Sequence, residues 1–340
     1  MTPMPVPAPH ADMRAYLQSA IDGGSPLPAG LYLYDGSLTI TQHGGRLAGV
    51  TLPSRQNAGS RGGGYGVVLR QTAGVGPALI IGTPGAYISN VEVARVRIET
   101  AGNECIRAFN PATSILRDLS LIGTRGAPGR AVLHVSGGIQ LCVLNVEACG
   151  MGYPEWEPHG DFSQRADGML FENGIDENGL PTTYTAHRVE GCYIHMCPRA
   201  VVNESGIVRV GGMTVVEECL RVIHTGDTGR TYVDGLYWES VEQTPFYLGD
   251  YAVFSASQLE GGAAVAPCFF DGKPGGQGIL GLSLLGGYFK GTAPLMGANL
   301  RRLDNGPIQG FAAVAAHCLP AGMDKGWASL IGPDTRGAGR

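Results

Sequence analysis

A six-residue phrase recurs nine times along the 340-residue chain: an apolar residue, any residue, then Asn, Asp, Gly or once Gln, an apolar residue in most copies, any residue, and usually another apolar one. It spans Leu47 to Leu52, Ile88 to Val93, Leu116 to Leu121, Val143 to Ala148, Val189 to Ile194, Val210 to Val215, Val233 to Trp238, Ala256 to Gly261 and Leu284 to Phe289. The third places are Gly49, Asn90, Asp118, Asn145, Gly191, Gly212, Gly235, Gln258 and Gly286, so successive steps are 41, 28, 27, 46, 21, 23, 23 and 28 residues. A phrase returning at such intervals marks a stack of similar coils rather than a closed globule.

Side chains alternate along a strand, so the first, fourth and sixth places point inward and the fifth points out. Asn, Asp and Gly tolerate left-handed dihedrals, which places a sharp corner at the third position, between two short strands. A coil of 21 to 28 residues holds about three such strands and three turns. A leucine-rich repeat would need its Leu consensus and Asn or Cys ladder, and a propeller blade longer antiparallel hairpins. The expected fold is therefore all-β, a single-stranded right-handed parallel β-helix. The two long steps mark enlarged coils, with Arg55 to Gly76 and Cys149 to Arg165 as the insertions, and loops of that length on a solenoid tend to carry function.

The 54 glycines and 22 prolines suit a chain dominated by turns, while 44% hydrophobic content still allows a long core. A net charge of −5 with scattered Lys and Arg leaves no footprint for nucleic acid. No run of eighteen apolar residues appears, which argues against membrane insertion, and the start MTPMPVPAPH lacks the basic and apolar regions of an export signal. A soluble chain made in the cytoplasm is expected, its cysteines, among them Cys142, Cys192 and Cys219, buried as free thiols. There is no CxxC pair and the histidines are dispersed, so no metal or cofactor is expected, and His195 and His224 read as polar residues near turns.

The chain divides into three segments. Residues 1–24 form a Pro-rich arm and a short helix: Met13, Leu17, Ala20 and Ile21 share one face, Asp12 precedes them and Gly23-Gly24 ends them. Such a helix can cover the open first coil. Residues 25–298 are the coils, and 299–340 a tail that caps the last coil or mediates association.

The order of helix, Pro28-Ala29-Gly30 turn and strand Leu31 to Ile40, with Pro28, Gly30 and Tyr32 in a P-x-G-x-Y pattern, resembles the start of the pectate-lyase-like superfamily of right-handed β-helices. Within it the chain looks most like a bacteriophage tailspike or related virion-attached depolymerase. That resemblance implies a homotrimer, joined to other virion proteins, that binds and often cleaves bacterial surface polysaccharide. The polygalacturonase motifs are not reproduced: Ala166-Asp167-Gly168 keeps only the Asp-Gly step, and His159-Gly160-Asp161 is not the histidine motif. No catalytic residue is carried over from that branch or from the calcium-dependent lyases.

The fifth places give an outward column of Thr51, Glu92, Ser120, Glu147, Tyr193, Thr214, Tyr237, Glu260 and Tyr288. Tyrosine faces stack on sugar rings and carboxylates accept hydroxyl hydrogen bonds or move protons, so Tyr193, Tyr237, Glu260 and Tyr288 are substrate-binding candidates. The insertion adds Trp156, His159 and Arg165 to that set. Glycoside hydrolysis needs two carboxyl groups about 5 to 9.5 Å apart, for which Glu147, Asp161, Asp167 and Glu172 are the candidates. A lyase would instead use Tyr193 or His159 as base with Arg165 against a uronate. Glu217, Glu218, Asp234, Glu239 and Glu242 read as the solvated face of an acidic protein. The leading expectation is a spike that binds and hydrolyses bacterial surface polysaccharide. The alternatives are a non-enzymatic receptor-binding or decorating spike and a cellular polysaccharide lyase or epimerase.

Overall fold

The computed structural model describes residues 12–51, 66–73, 76–102, 104–123, 130–150, 161–262, 266–276, 279, 281–285, 287–290, 293, 297, 299–300 and 312–314. Two large sheets, of fifteen and nine strands, dominate, and every pairing within them is parallel. The fifteen-stranded sheet folds along its length into two faces. Its first face carries Arg46–Ala48, Glu92–Ala94, His187–Glu190 and the leading halves of Ile115–Ile122, Cys142–Cys149, Ile207–Glu217, Arg230–Glu239 and Val253–Gly262. Its second carries Gly30–Asp35, Val67–Ala73, Val96–Glu99, Tyr193–His195, Gly287–Lys290 and the trailing halves of the same long strands. The nine-stranded sheet, Leu38–Ile40 through Phe270–Gly272, forms the third face. The chain is a parallel β-helix.

The phrase explains both the core and the crease. Leu116, Leu119, Leu121, Val143, Val146 and Ala148 are completely or almost completely buried between the faces, each large aliphatic contributing about 1.5–3 kcal/mol of transfer free energy. At the crease Asp118, Asn145, Gly191, Gly212, Gly235 and Gln258 take φ of 55°, 53°, 61°, 62°, 81° and 54°. This left-handed conformation turns one strand into the next. Asn145 Nδ2 donates to Asp118 Oδ1 at 2.7 Å, so adjacent corners also bond to each other.

Two frames differ from those expected of the sequence. The residue that stacks between Gly49 and Asp118 is Arg95, at φ 55°, not Asn90. Asn90, at φ 59°, occupies another corner, beneath Thr113 and Gln140. The opening steps are therefore 46 and 23 residues, and Glu92 lies on the first face between Arg46 and Ile115. In the Val210 phrase a bulge at Gly211-Gly212-Met213 shifts the register. Thr214 consequently turns inward, its hydroxyl donating to Gly211 O at 2.8 Å, and Val215 takes the outward place. Thr51 lies outside the strands.

The helix runs from Arg14 to Asp22 and buries Leu17, Ala20 and Ile21 against the first strands. Asp12 Oδ1 accepts from the Arg14 amide at 3.0 Å, satisfying one free donor of the first turn. Tyr32 donates its hydroxyl proton to Pro28 O at 2.8 Å and closes the Pro-Ala-Gly turn. Within 299–340, Ala312–Val314 pairs with Gly281–Leu284, so the tail supplies at least one more rung. Cys105, Cys149, Cys192, Cys197, Cys219 and Cys268 are buried free thiols, whereas Cys142 is only half-buried because its side chain points out of the first face.

Candidate functional site

Parallel register turns separate phrases into columns on the second face. One column runs Arg97, Ser120, Glu147, Tyr193, Val215, Tyr237, Glu260 and Tyr288. Side chains two positions further along point the same way and form a second column of Glu99, Ile122, Cys149, His195, Glu217 and Glu239. The structure thus brings Glu147, Tyr193, Tyr237, Glu260 and Tyr288 into one row. Exposure grows along it: Glu147 is 0% exposed, Tyr193 and Tyr237 are half-buried, Glu260 is exposed and Tyr288 is 64% exposed.

The two columns are cross-linked. Tyr193 donates its hydroxyl to Glu217 at 2.5 Å, and Tyr237 donates to Glu239 at 2.7 Å. Burial and the bond to Glu217 push the Tyr193 phenol well above its ordinary range, and the bond to Glu239 raises that of Tyr237. Both phenols therefore stay protonated and serve as donors. Glu217 and Glu239 sit directly opposite each other on neighbouring strands, whose backbones lie about 4.8 Å apart. Their relation to the tyrosines is hidden in the sequence because the six-residue phrase stops short of the second column; a seventh place would have displayed Cys149, His195 and Glu239, while the bulge puts Glu217 at the eighth place of its phrase.

Glu147 is held in a buried network. Its Oε2 accepts from Ser120 Oγ at 2.6 Å, and Oε1 lies 3.3 Å from His195 Nε2. Burial opposes charge on His195, but Cys149 and Glu147 beside it outweigh burial and hold its pKa well above the usual imidazole range. The His195 ring also stacks on Tyr193 with centroids 4.5 Å apart. Glu147 thus orients His195, and His195 backs Tyr193. Nearby, Arg165 is buried, lying over the Phe162 ring at 4.2 Å and donating to Met196 Sδ at 3.8 Å. Asp161 caps the short 3₁₀ turn Phe162–Gln164, accepting from the Ser163 amide at 2.8 Å. Trp156 and His159 lie outside the described residues.

Asp167 and Glu172 belong to the third face. Asp167 is clamped by Arg199, with contacts of 3.0, 3.2 and 2.6 Å. Glu172 accepts from Arg107 at 3.1 Å and Ser136 at 2.9 Å, contacts His134 at 2.8 Å and pairs with Arg130. Burial alone would raise its pKa, but the bonds from His134 and Ser136 and the Arg130 charge bring it to about 2. Both carboxylates are engaged in ion pairs away from the tyrosine row.

No family model matches the chain, and no curated protein matches it. Among solved structures, the Dettilon tailspike protein (gp208) aligns with a TM-score of 0.53 at 10% identity, over 90% of this chain and 66% of that one. The Acinetobacter phage vb_AbaP_AS12 gp42 tailspike gives 0.47 at 10% identity, over 85% and 61%. DFA-IIIase from Arthrobacter chlorophenolicus A6 gives 0.46 at 9% identity, over 93% and 96%. The chain therefore spans only 61% and 66% of the two tailspikes' lengths. The likeness to the Dettilon tailspike protein is one of fold: this chain is a right-handed parallel β-helix.

Proposed function

We propose that the chain is the β-helix of a tailspike-like virion protein that binds bacterial surface polysaccharide (capsule, exopolysaccharide or O-antigen) along its second face and hydrolyses it there. The observation that carries this reading is the registered double column, in which Tyr193, Tyr237, Glu260 and Tyr288 share one row and Glu217 and Glu239 lie in the row beside it. The tyrosine rings offer stacking surfaces to sugar C–H faces. Glu217 and Glu239, on rungs about 4.8 Å apart, suit the separation of about 5–5.5 Å used when one carboxylate attacks the anomeric carbon and the other protonates the leaving oxygen. Tyr193 and Tyr237 hold the two carboxylates, and Glu147 and His195 position Tyr193 from behind. The fold shared with the Dettilon tailspike supports a virion setting, and with it a homotrimer assembled in the host cytoplasm on other virion proteins and acting at the bacterial surface.

Purified protein incubated with host capsule or lipopolysaccharide should release new reducing ends without the absorbance of unsaturated uronates. Glu217→Gln and Glu239→Gln should each lower that rate at least about 100-fold, with binding retained. Full activity in both variants would eliminate the pair. Binding without any cleavage by the parent would leave a recognition spike and discard hydrolysis.

A further inference from the structure

Around the corner from Glu217, the third face carries a cation with no carboxylate of its own among the described residues. Arg199 and Arg221 are register partners on neighbouring rungs, and the Asp167 carboxylate is taken by Arg199. Arg221 donates from Nε to Gln243 Oε1 at 3.2 Å, and its guanidinium lies 5.0 Å from the Tyr247 ring centroid. The acids around it are otherwise engaged. Asp271 accepts from the Gly272 and Asn299 amides and from Asn299 Nδ2, and Asp227 and Asp250 pair with Lys273 at 2.8 and 3.3 Å. His224 stacks on Tyr247 at 4.6 Å, and its Nδ1 is buried with no hydrogen-bond partner among the described residues. Burial, then Arg199 and Arg221, hold His224 at a pKa of about 4, so at neutral pH its ring is uncharged.

We infer that Arg221, with His224 and Tyr247, forms a seat for the carboxylate of an acidic sugar, separate from the tyrosine and glutamate columns of the second face. The free edge of a guanidinium presents parallel N–H donors that match a carboxylate in a two-point contact. The His224 ring stacks on Tyr247, and the Tyr247 ring fixes the guanidinium in place. The seat rests on its own geometry, and on the proposed function only in taking its ligand to be a glycan. It lies four residues along the chain from Glu217, so one polymer can rest neutral sugars on the second face and turn an acidic residue onto the third.

The test is calorimetric titration of the protein with a glucuronate-containing oligosaccharide and with its glucose counterpart. The acidic ligand should bind at least about tenfold more tightly, and Arg221→Gln, checked for an unchanged melting temperature, should abolish the difference. Arg221→Lys should retain only part of it, because a point charge replaces the fork. Competition by inorganic phosphate would support a general anion seat of the same chemistry. Equal binding of both ligands, or unchanged selectivity in Arg221→Gln, would overturn the seat, and neutral glycan still bound and cleaved would leave the proposed function standing. An Arg221→Gln variant that alters the oligomeric state while acid selectivity persists would reassign Arg221 to a contact between copies and overturn the proposal.

Discussion

His187 gives the fold a specific acid sensitivity. It opens the strand His187–Glu190 and is 0% exposed. Its Nδ1 accepts from the Leu141 amide at 3.1 Å, and Nε2 donates to Gly137 O at 3.1 Å, which fixes the tautomer of a neutral ring. The ring stacks on Tyr184 at 5.5 Å and tilts against Phe171 at 5.6 Å. Burial lowers its pKa from 6.5 to about 4. Below pH 6.5 the unfolded chain takes up a proton that the folded chain refuses, so the contribution to stability is complete above that value and declines as pH falls toward 4. Integrating the linkage between pH 7 and pH 5 gives a loss of about 2 kcal/mol from this one residue. His187→Gln should cost about 1–3 kcal/mol at pH 7 through imperfect replacement of two buried bonds, yet it should lack the further decline of about 2 kcal/mol. The assay is equilibrium denaturation of parent and variant at pH 7, 6 and 5, read as the difference between the curves, because all other titrating groups cancel. A constant difference across that range would refute the reasoning.

Glu172 works in the opposite sense. With a folded pKa of about 2 against 4.5, its contribution is present above pH 4.5 and lost as pH falls toward 2, so Glu172→Gln should destabilise at pH 7 and match the parent near pH 2 in melting experiments. The group is 20% exposed, so solvent screening limits the neutral-pH loss to about 1–2 kcal/mol. At the crease, Asn145→Val should cost about 2 kcal/mol or more by forcing a β-branched residue to φ 53° and removing the bond to Asp118, whereas Asn145→Gly should cost much less, as chemical denaturation would show. On the second face, Tyr237→Phe should leave the melting temperature nearly unchanged and weaken glycan cleavage by roughly tenfold, since the bond holding Glu239 is removed.

The coil architecture was readable because the interior demands the same side-chain sizes at the same phase on every turn, and that demand survives wherever the corner residue is Asn, Asp or Gly. It failed where the corner is filled by Arg95, because a long L-residue at positive φ gives no compositional sign of itself. It failed again at Gly211 to Thr214, where one extra residue reverses the phase of the rest of the strand. The tyrosine row came from the phase alone. The burial of Glu147 did not, since only the folded arrangement of Ser120 and His195 shows that this carboxylate faces partners instead of solvent. Asp167 and Glu172 reach the third face because a chain segment separates them from Glu147, and the phrase carries no information about residues beyond its last position.

The fixed spacing between rungs makes the outer surface a ruler with discrete marks. Moving a functional group by one mark requires only exchanging two outward residues on adjacent turns, with no change to the packed interior beneath them. Shifting the Glu239 carboxylate to the mark held by Gly262, for example, would lengthen the distance from Glu217 by a single strand spacing and leave every buried side chain where it is. A scaffold of this kind can therefore change the length of the sugar unit it measures without first having to relearn how to fold.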